Sequence, residues 1–223
     1  KEIEGLKESL QEEGFTKIDT FHSKRHSSDR QTIQQKFFRG ELNILLATSA
    51  FGMGINQSNI RTIIHYQLPQ TLEDYVQQIG RAGRDLQFSR CIAFVHPDDF
   101  SQMSRKIERS YEVEDVEETE LHQNIKEIAE AFHWNNEQKN EFIKMQRGRK
   151  LKQLRQIKEF ATTSQCKEQY LAQFFGENRK EPCGKCSSCR HFDLFLLDVT
   201  ENWNEEENGK NTFEESFKKL FNL

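Results

Sequence analysis

A chain of 223 residues is long enough for one large or two small domains with a real core, and 35% hydrophobic and 30% charged residues with only three prolines exclude a mostly unfolded polymer. No apolar run approaches the ~18 residues of a membrane-spanning helix and no secretory leader is visible, so the reading expects no membrane partner and a cytoplasmic location. The formal net charge of −4 conceals a pattern: residues 1–100 carry −1, residues 101–142 carry −6, residues 143–190 carry +8 and residues 191–223 carry −5.

The chain opens at Lys1 inside what reads as a helix, with Ile3, Leu6 and Leu10 at helical spacing and Gly14 as its stop, so the chain is read as a fragment. Thr16–Phe21 reads as a short strand. Ser28 and Asp29 are N-cap candidates for a helix to about Arg39 with Ile33, Phe37 and Phe38 inward. Asn43–Thr48 and Ile60–Tyr66 read as strands buried on both faces, with Leu45, Leu46, Ile63 and Ile64 as core. Thr71 is expected to cap a helix to about Gly80. Cys91–Val95 reads as a further strand with Cys91 as a small core residue. Strands alternating with helices through residue 96 predict an α/β fold with a parallel sheet, whose ligands gather at the carboxyl ends of the strands.

After Pro97 the pattern becomes helical. Helices are expected near 99–110, 119–132 and 138–161, with acidic Tyr111–Glu120 as a solvated connection. The third carries Lys144, Arg147, Arg149, Lys150, Lys152, Arg155 and Lys158, with Leu151, Leu154, Ile157 and Phe160 on its buried side. That cationic face reads either as simple solvation or as a polyanion track. The acidic end of the chain holds a weak amphipathic pattern around Thr212–Leu220.

Two stretches carry chemistry. In GRAGRD, Arg81 and Arg84 offer two planar, permanently charged donor forks beside Gly80 and Gly83, an arrangement that suits a polyphosphate or, alternatively, a solvated helix end. Cys183, Cys186 and Cys189 stand at two consecutive C-x-x-C spacings, with Cys166 upstream. Four thiolates fill the tetrahedral shell of a structural Zn²⁺. Free thiols and an iron–sulfur cluster are the alternatives.

Taken together these motifs resemble the RecQ family of DNA helicases, from about Leu10 to Cys189. AFGMGIN at Ala50–Asn56 is similar to motif V and QQIGRAGRD at Gln77–Asp85 to motif VI. Cys166, FFGE at Phe174–Glu177 and PCGKCSSC at Pro182–Cys189 resemble the zinc-binding segment. The resemblance implies a second RecA-like motor lobe over residues 1–98, lacking its N-terminal strand, then a mainly helical four-cysteine zinc-binding domain over 99–192 and an acidic tail over 193–223. It implies ATP and Mg²⁺ in the complete enzyme, with Arg84 as arginine finger, Arg81 as a second phosphate-directed arginine, and Gln77, Gly54 and Asn56 at the nucleotide. It implies DNA, single-stranded or forked, near Thr48, Ser49 and His22, and it makes Arg149, Lys152 and Arg155 DNA contacts by charge. A bacterial member would sit at the nucleoid.

The departures are definite. His22-Ser23-Lys24 stands where the family has His-Ala-Gly, Lys167-Glu168 where it often has two arginines, and Ser187 where Asp is common. Residues 101–165 are longer than in many relatives. The ~34 residues after Cys189 are too few for a winged-helix domain. No GxxxxGK[ST] and no DExH occurs, so the phosphate cradle and the Mg²⁺-holding acid are expected in a missing N-terminal lobe. Competing readings are a non-enzymatic nucleic-acid-binding zinc module and the second lobe of a DEAD-box-type RNA helicase.

Overall fold

The computed structural model describes residues 2–48, 51, 57–111 and 120–190. They form two compact units, Lys1–Ile63 with Val76–Ile92, and Ile64–Tyr75 with the remainder from Ala93.

The first unit begins with α1 (Glu2–Glu12), β1 (Ile18–Phe21), α2 (Ser27–Phe38) and β2 (Ile44–Ala47). β1 and β2 pair in parallel, Ile18 opposite Ile44 through Phe21 opposite Ala47, with α2 as the crossover that a parallel pair requires. Leu10, Ile18, Phe21 and Ile33 are buried. Two N-cap candidates are corrected: α2 starts at Ser27 after His26, which makes no side-chain cap, so Ser28 and Asp29 lie in the first turn. Asp29 there still complements the helix dipole.

β3 (Thr62–His65) and β4 (Arg90–Ala93) form a second two-stranded sheet. Arg90 donates to the Arg61 carbonyl and Phe94 to that of His65, so the two strands run the same way. The expectation of strands buried on both faces is corrected. Leu45, Leu46, Ile63 and Ile64 are only half-buried, and Cys91 is exposed. Each strand has a single partner among the described residues, and β4 alternates Cys91 outward with Ile92 inward, as a one-sided strand must.

The second unit holds α4 (Pro97–Ser110), α5 (Glu120–Ala131), α6 (Asn136–Thr162), α7 (Lys167–Phe174) and α8 (Ser187–Arg190). Two helix starts are explained by reciprocal capping boxes, His96 with Asp99 for α4 and Asn135 with Gln138 for α6. The Asn135 box sets the start of α6 at Asn136, slightly earlier than periodicity alone predicts. Phe100, Ile107, Tyr111, Ile125, Ile143, Leu154, Ile157 and Phe160 share one core. Among the described residues no helix is long and apolar enough to cross a membrane.

Ile157 is 0% exposed at the centre of this core. Ile157→Ala is expected to destabilise the unit by ~2–5 kcal/mol, read from a denaturant midpoint shifted at unchanged slope.

Candidate phosphate-facing turn and metal centre

The arginine turn grows from α3 (Leu72–Ile79), whose first turn is capped by the Thr71 hydroxyl accepting from the Asp74 N–H at 3.0 Å. After Ile79 the chain tightens: Arg81 donates to the Gln78 carbonyl and Ala82 to that of Ile79. The Gly83 N–H then reaches the Ile60 carbonyl at 3.0 Å, pinning the turn to the residues entering β3. Gly83 has φ +63°, and a Cβ there would come within 2.5 Å of the Ser89 hydroxyl oxygen, so only glycine fits. Beyond it the Arg61 guanidinium grips the Asp85 carboxylate with two donors, Nη1 to Oδ1 at 2.9 Å and Nη2 to Oδ2. The Gln87 N–H adds a bond to Oδ1 at 3.1 Å.

This scaffold presents the two arginines. Arg84 is exposed, and its Nε donates to the Gly80 carbonyl at 3.1 Å, which fixes the start of the side chain. Arg81 is half-buried, and its pKa is lowered by burial and by the charge of Arg84. The guanidinium stays protonated all the same, so the turn holds two mutually repelling cations. An anion placed between them relieves that repulsion and accepts from both forks. Gln77 and Thr48 are exposed. Thr48 follows β2, with its N–H on the Phe21 carbonyl at 3.1 Å. Phe51 stands edge-on to Phe21 with ring centroids 4.8 Å apart. Ser49, Gly54 and Asn56 lie outside the described residues, as do 112–119 and the acidic end from 191. His22 is half-buried, its Nε2 2.8 Å from Glu4, within a cluster in which Arg25 also meets Glu4 and Asp19. Arg149, Lys152 and Arg155 are exposed at a spacing of three along α6, one stripe of the helix.

The cysteines converge at the far end of α6. The four sulfurs of Cys166, Cys183, Cys186 and Cys189 all lie within 4.8 Å of one another, and Cys183 and Cys189 are 3.9 Å apart. Tetrahedral Zn–S bonds of ~2.3 Å imply sulfurs ~3.8 Å apart, so the donor set fits one zinc ion and is too tight for a body of several irons. Gly184 at φ +68° turns the chain between the first two knuckle cysteines. Backbone N–H groups point at the sulfurs, Cys183 to Cys166 at 3.2 Å, Lys167 to Cys186 at 3.4 Å and Cys186 to Cys183 at 3.4 Å. Burial opposes ionisation of Cys166, but the N–H groups of Cys183 and Gln169 together with hydrogen bonds from the Cys183 and Cys189 thiols bring it down to about 6, while burial and the neighbouring thiols push Cys183 and Cys189 up. A thiolate is what a metal binds. Beside the thiols, Arg179 and Lys185 both pair with Glu168, the latter at 3.0 Å.

Sequence reasoning missed two structural cations. Lys167 places its ammonium 2.7 Å from the Phe160 carbonyl, 3.0 Å from that of Ala161 and 2.8 Å from that of Thr163, capping the C-terminal end of α6 from beside the first cysteine. Arg61 is the other. Its only sequence signal is an arginine at the start of an apolar run.

With this geometry in place, comparison with known proteins defines the class. Residues 1–85 match the helicase conserved C-terminal domain and residues 97–190 match the RecQ zinc-binding domain. The chain is thus the C-terminal lobe of a helicase followed by a zinc-binding domain. It is 31% identical over 187 residues to the ATP-dependent DNA helicase RecQ of Pasteurella multocida, covering 84% of this chain and 24% of that protein. It is 32% identical over 169 residues to that of Bacillus subtilis, covering 76% and 23%. A protein of Acanthamoeba polyphaga mimivirus named a putative ATP-dependent RNA helicase is 30% identical over 192 residues, covering 85% and 29%. The chain belongs to the RecQ family, and it spans about a quarter of the length of these relatives.

Elemental analysis of the purified chain is expected to find about one zinc per molecule, with less than ~0.2 ruling the site out. Cys183→Ser is expected to lose the metal and unfold the segment from Cys166, because metal binding supplies its folding free energy. The turn has its own pH signature. Arg61 holds Asp85 down at about 2, below the ~4 of an unfolded aspartate. The contribution of Asp85 to stability is therefore present above pH ~4 and lost as pH falls through about 2. The stability difference between the wild type and Asp85→Asn is expected to shrink across that window in acid titrations followed by circular dichroism.

Proposed function

We propose that this chain is the second motor lobe and zinc module of an ATP-dependent DNA helicase that moves 3′ to 5′ and acts in repair or recombination. The observation that carries the reading is one polypeptide joining the Arg81–Arg84 turn to a four-thiol metal centre. In this reading residues 1–98 are the lobe, 99–192 the zinc domain and 193–223 an acidic tail. ATP and Mg²⁺ are held by a lobe that supplies the phosphate cradle, for which the chain has no GxxxxGK[ST]. Without that lobe the chain does not turn ATP over.

Each group then has a task. Arg84 reaches the γ-phosphate and stabilises the charge spread over its oxygens as it transfers, while Arg81 holds a neighbouring phosphate. Gln77, Gly54 and Asn56 line the nucleotide side. Thr48, Ser49 and His22 meet the strand, and Arg149, Lys152 and Arg155 track its phosphates. Bound zinc supplies a cross-link that holds the segment from Cys166 to Cys189 at the end of α6. The resemblance of the chain to a relative named as an RNA helicase supports a second reading, in which RNA is the strand.

In the protein that contains both lobes, Arg84→Ala is expected to lower single-strand-stimulated ATP turnover on the order of 10³-fold. Unchanged turnover would contradict the finger assignment. Stimulation by oligo(dT) well above that by oligo(U) supports DNA, and the reverse supports RNA.

A further inference from the structure

The turn between α5 and α6 is locked from both sides. The His133 N–H donates to the Glu130 carbonyl at 3.2 Å and the Trp134 N–H to that of Ala129 at 2.8 Å. These are the paired bonds that close a helix, with His133 in the left-handed region at φ +52°. Asn135 then caps the start of α6. Phe132 is held at this rigid tip with 69% of its surface exposed. Its ring stacks on Trp134, centroids 5.9 Å apart and planes 27° apart. Trp134 in turn meets Phe142 at 4.9 Å, and Phe142 packs against the core of the unit. A large ring is thus fixed in water, where it adds little to the fold and loses little further freedom when a ligand stacks on it.

Beyond Phe142 the same stripe of α6 continues through Met145, Arg149 and Lys152, at spacings of three, four and three. Met145 is 59% exposed, and both cations are exposed. They belong to a run, Lys144–Lys158, with seven cations and no acid. All seven are exposed, and among the described residues none takes part in an ion pair. The charge changes sign toward the turn, where Glu127, Glu130, Glu137 and Glu141 are all exposed. A phosphate chain is therefore drawn to the cationic run and repelled from the turn. A base carries no charge and offers a flat face, so it suits the Phe132 ring. Single-stranded nucleic acid has both parts, whereas a duplex has already stacked its bases on one another.

We propose that Phe132, backed by Trp134, is a stacking platform for a base of single-stranded DNA whose phosphates lie on Arg149 and Lys152. The acids of the turn end the phosphate track there, and the stacked base holds the strand at that end. The platform rests on reading α6 as a phosphate track and adds to it a contact with the base.

Binding of two fluorescent oligomers to the full chain at several salt concentrations separates the two contacts. One is oligo(dT), and the other is an abasic oligomer of the same length and charge. Phe132→Ala is expected to weaken oligo(dT) by about fivefold or more and to leave the abasic oligomer unchanged. It removes no phosphate contact, so the slope of affinity against salt stays the same. Phe132→Trp is expected to retain oligo(dT) affinity. Arg149→Gln with Lys152→Gln is expected to weaken both oligomers alike and to flatten the salt slope. If Phe132→Ala changes neither oligomer while the double variant weakens both, the platform is overturned and the phosphate track stands. Equal weakening of both oligomers by Phe132→Ala also overturns the platform, because the loss is then structural. If the double variant has no effect, or the full chain binds neither oligomer, the phosphate-track reading falls and the platform with it.

Discussion

Three carbonyl oxygens at the end of α6 converge on the ammonium of Lys167, and the cysteine module is built on that junction. A helix of 27 residues ends in carbonyls with no partner of their own, and the aligned peptide dipoles make that end negative. Lys167 answers both needs at once, with its ammonium 5.5 Å from the centre of the Phe160 ring. Its neighbour Cys166 is the first metal ligand, and the Lys167 N–H points at the sulfur of another, Cys186. Lys167 thus links the end of the long helix α6 directly to the thiol cluster, with the Ser188 hydroxyl on the Thr163 carbonyl as a second tie. Lys167 caps α6, and Glu168 beside it gathers Arg179 and Lys185.

The arginine turn solves a different problem, holding two like charges close together. Arg61 neutralises the one acid of the turn, Asp85, and the Gly83 N–H fastens the backbone to Ile60. Rigid backbone and a spent carboxylate leave Arg81 and Arg84 repelling each other. That is an unfavourable arrangement in isolation and a favourable one around a polyphosphate. The metal centre follows the same logic with opposite sign: N–H dipoles and a bound cation make a crowd of thiolates tolerable.

Much of this was legible in the chain. Apolar spacing located α1 to α6 and the four strands to within a few residues, because periodicity is a local property, but it did not find the short helices α7 and α8. The paired C-x-x-C spacings pointed to four thiols gathered within 4.8 Å of one another, and GRAGR marked the turn that holds Arg81 and Arg84 together. Burial was less legible. Leu45, Leu46, Ile63 and Ile64 read as doubly buried, and Cys91 as core, because an apolar run in the sequence does not say how many partners its strand will find. The His26–Ser27 start of α2 escaped for a related reason: two good capping residues stood next to the boundary, and the backbone used neither.

By itself the sequence determined the kinds of element through α6, their order, the four clustered cysteines and the paired arginines of the GRAGR turn, all of which depend on residue type and short spacing. Tertiary structure alone decided which cations spend their charge inside the protein and which keep it. Arg61 meets Asp85 across 24 residues, the Cys183 N–H meets Cys166 across 17, and Ser188 meets Thr163 across 25. Such contacts depend on the path of the chain between the partners, which no local pattern records. The same path leaves the seven cations of Lys144–Lys158 without an ion pair among the described residues, while Lys167, a few residues on, is fully engaged.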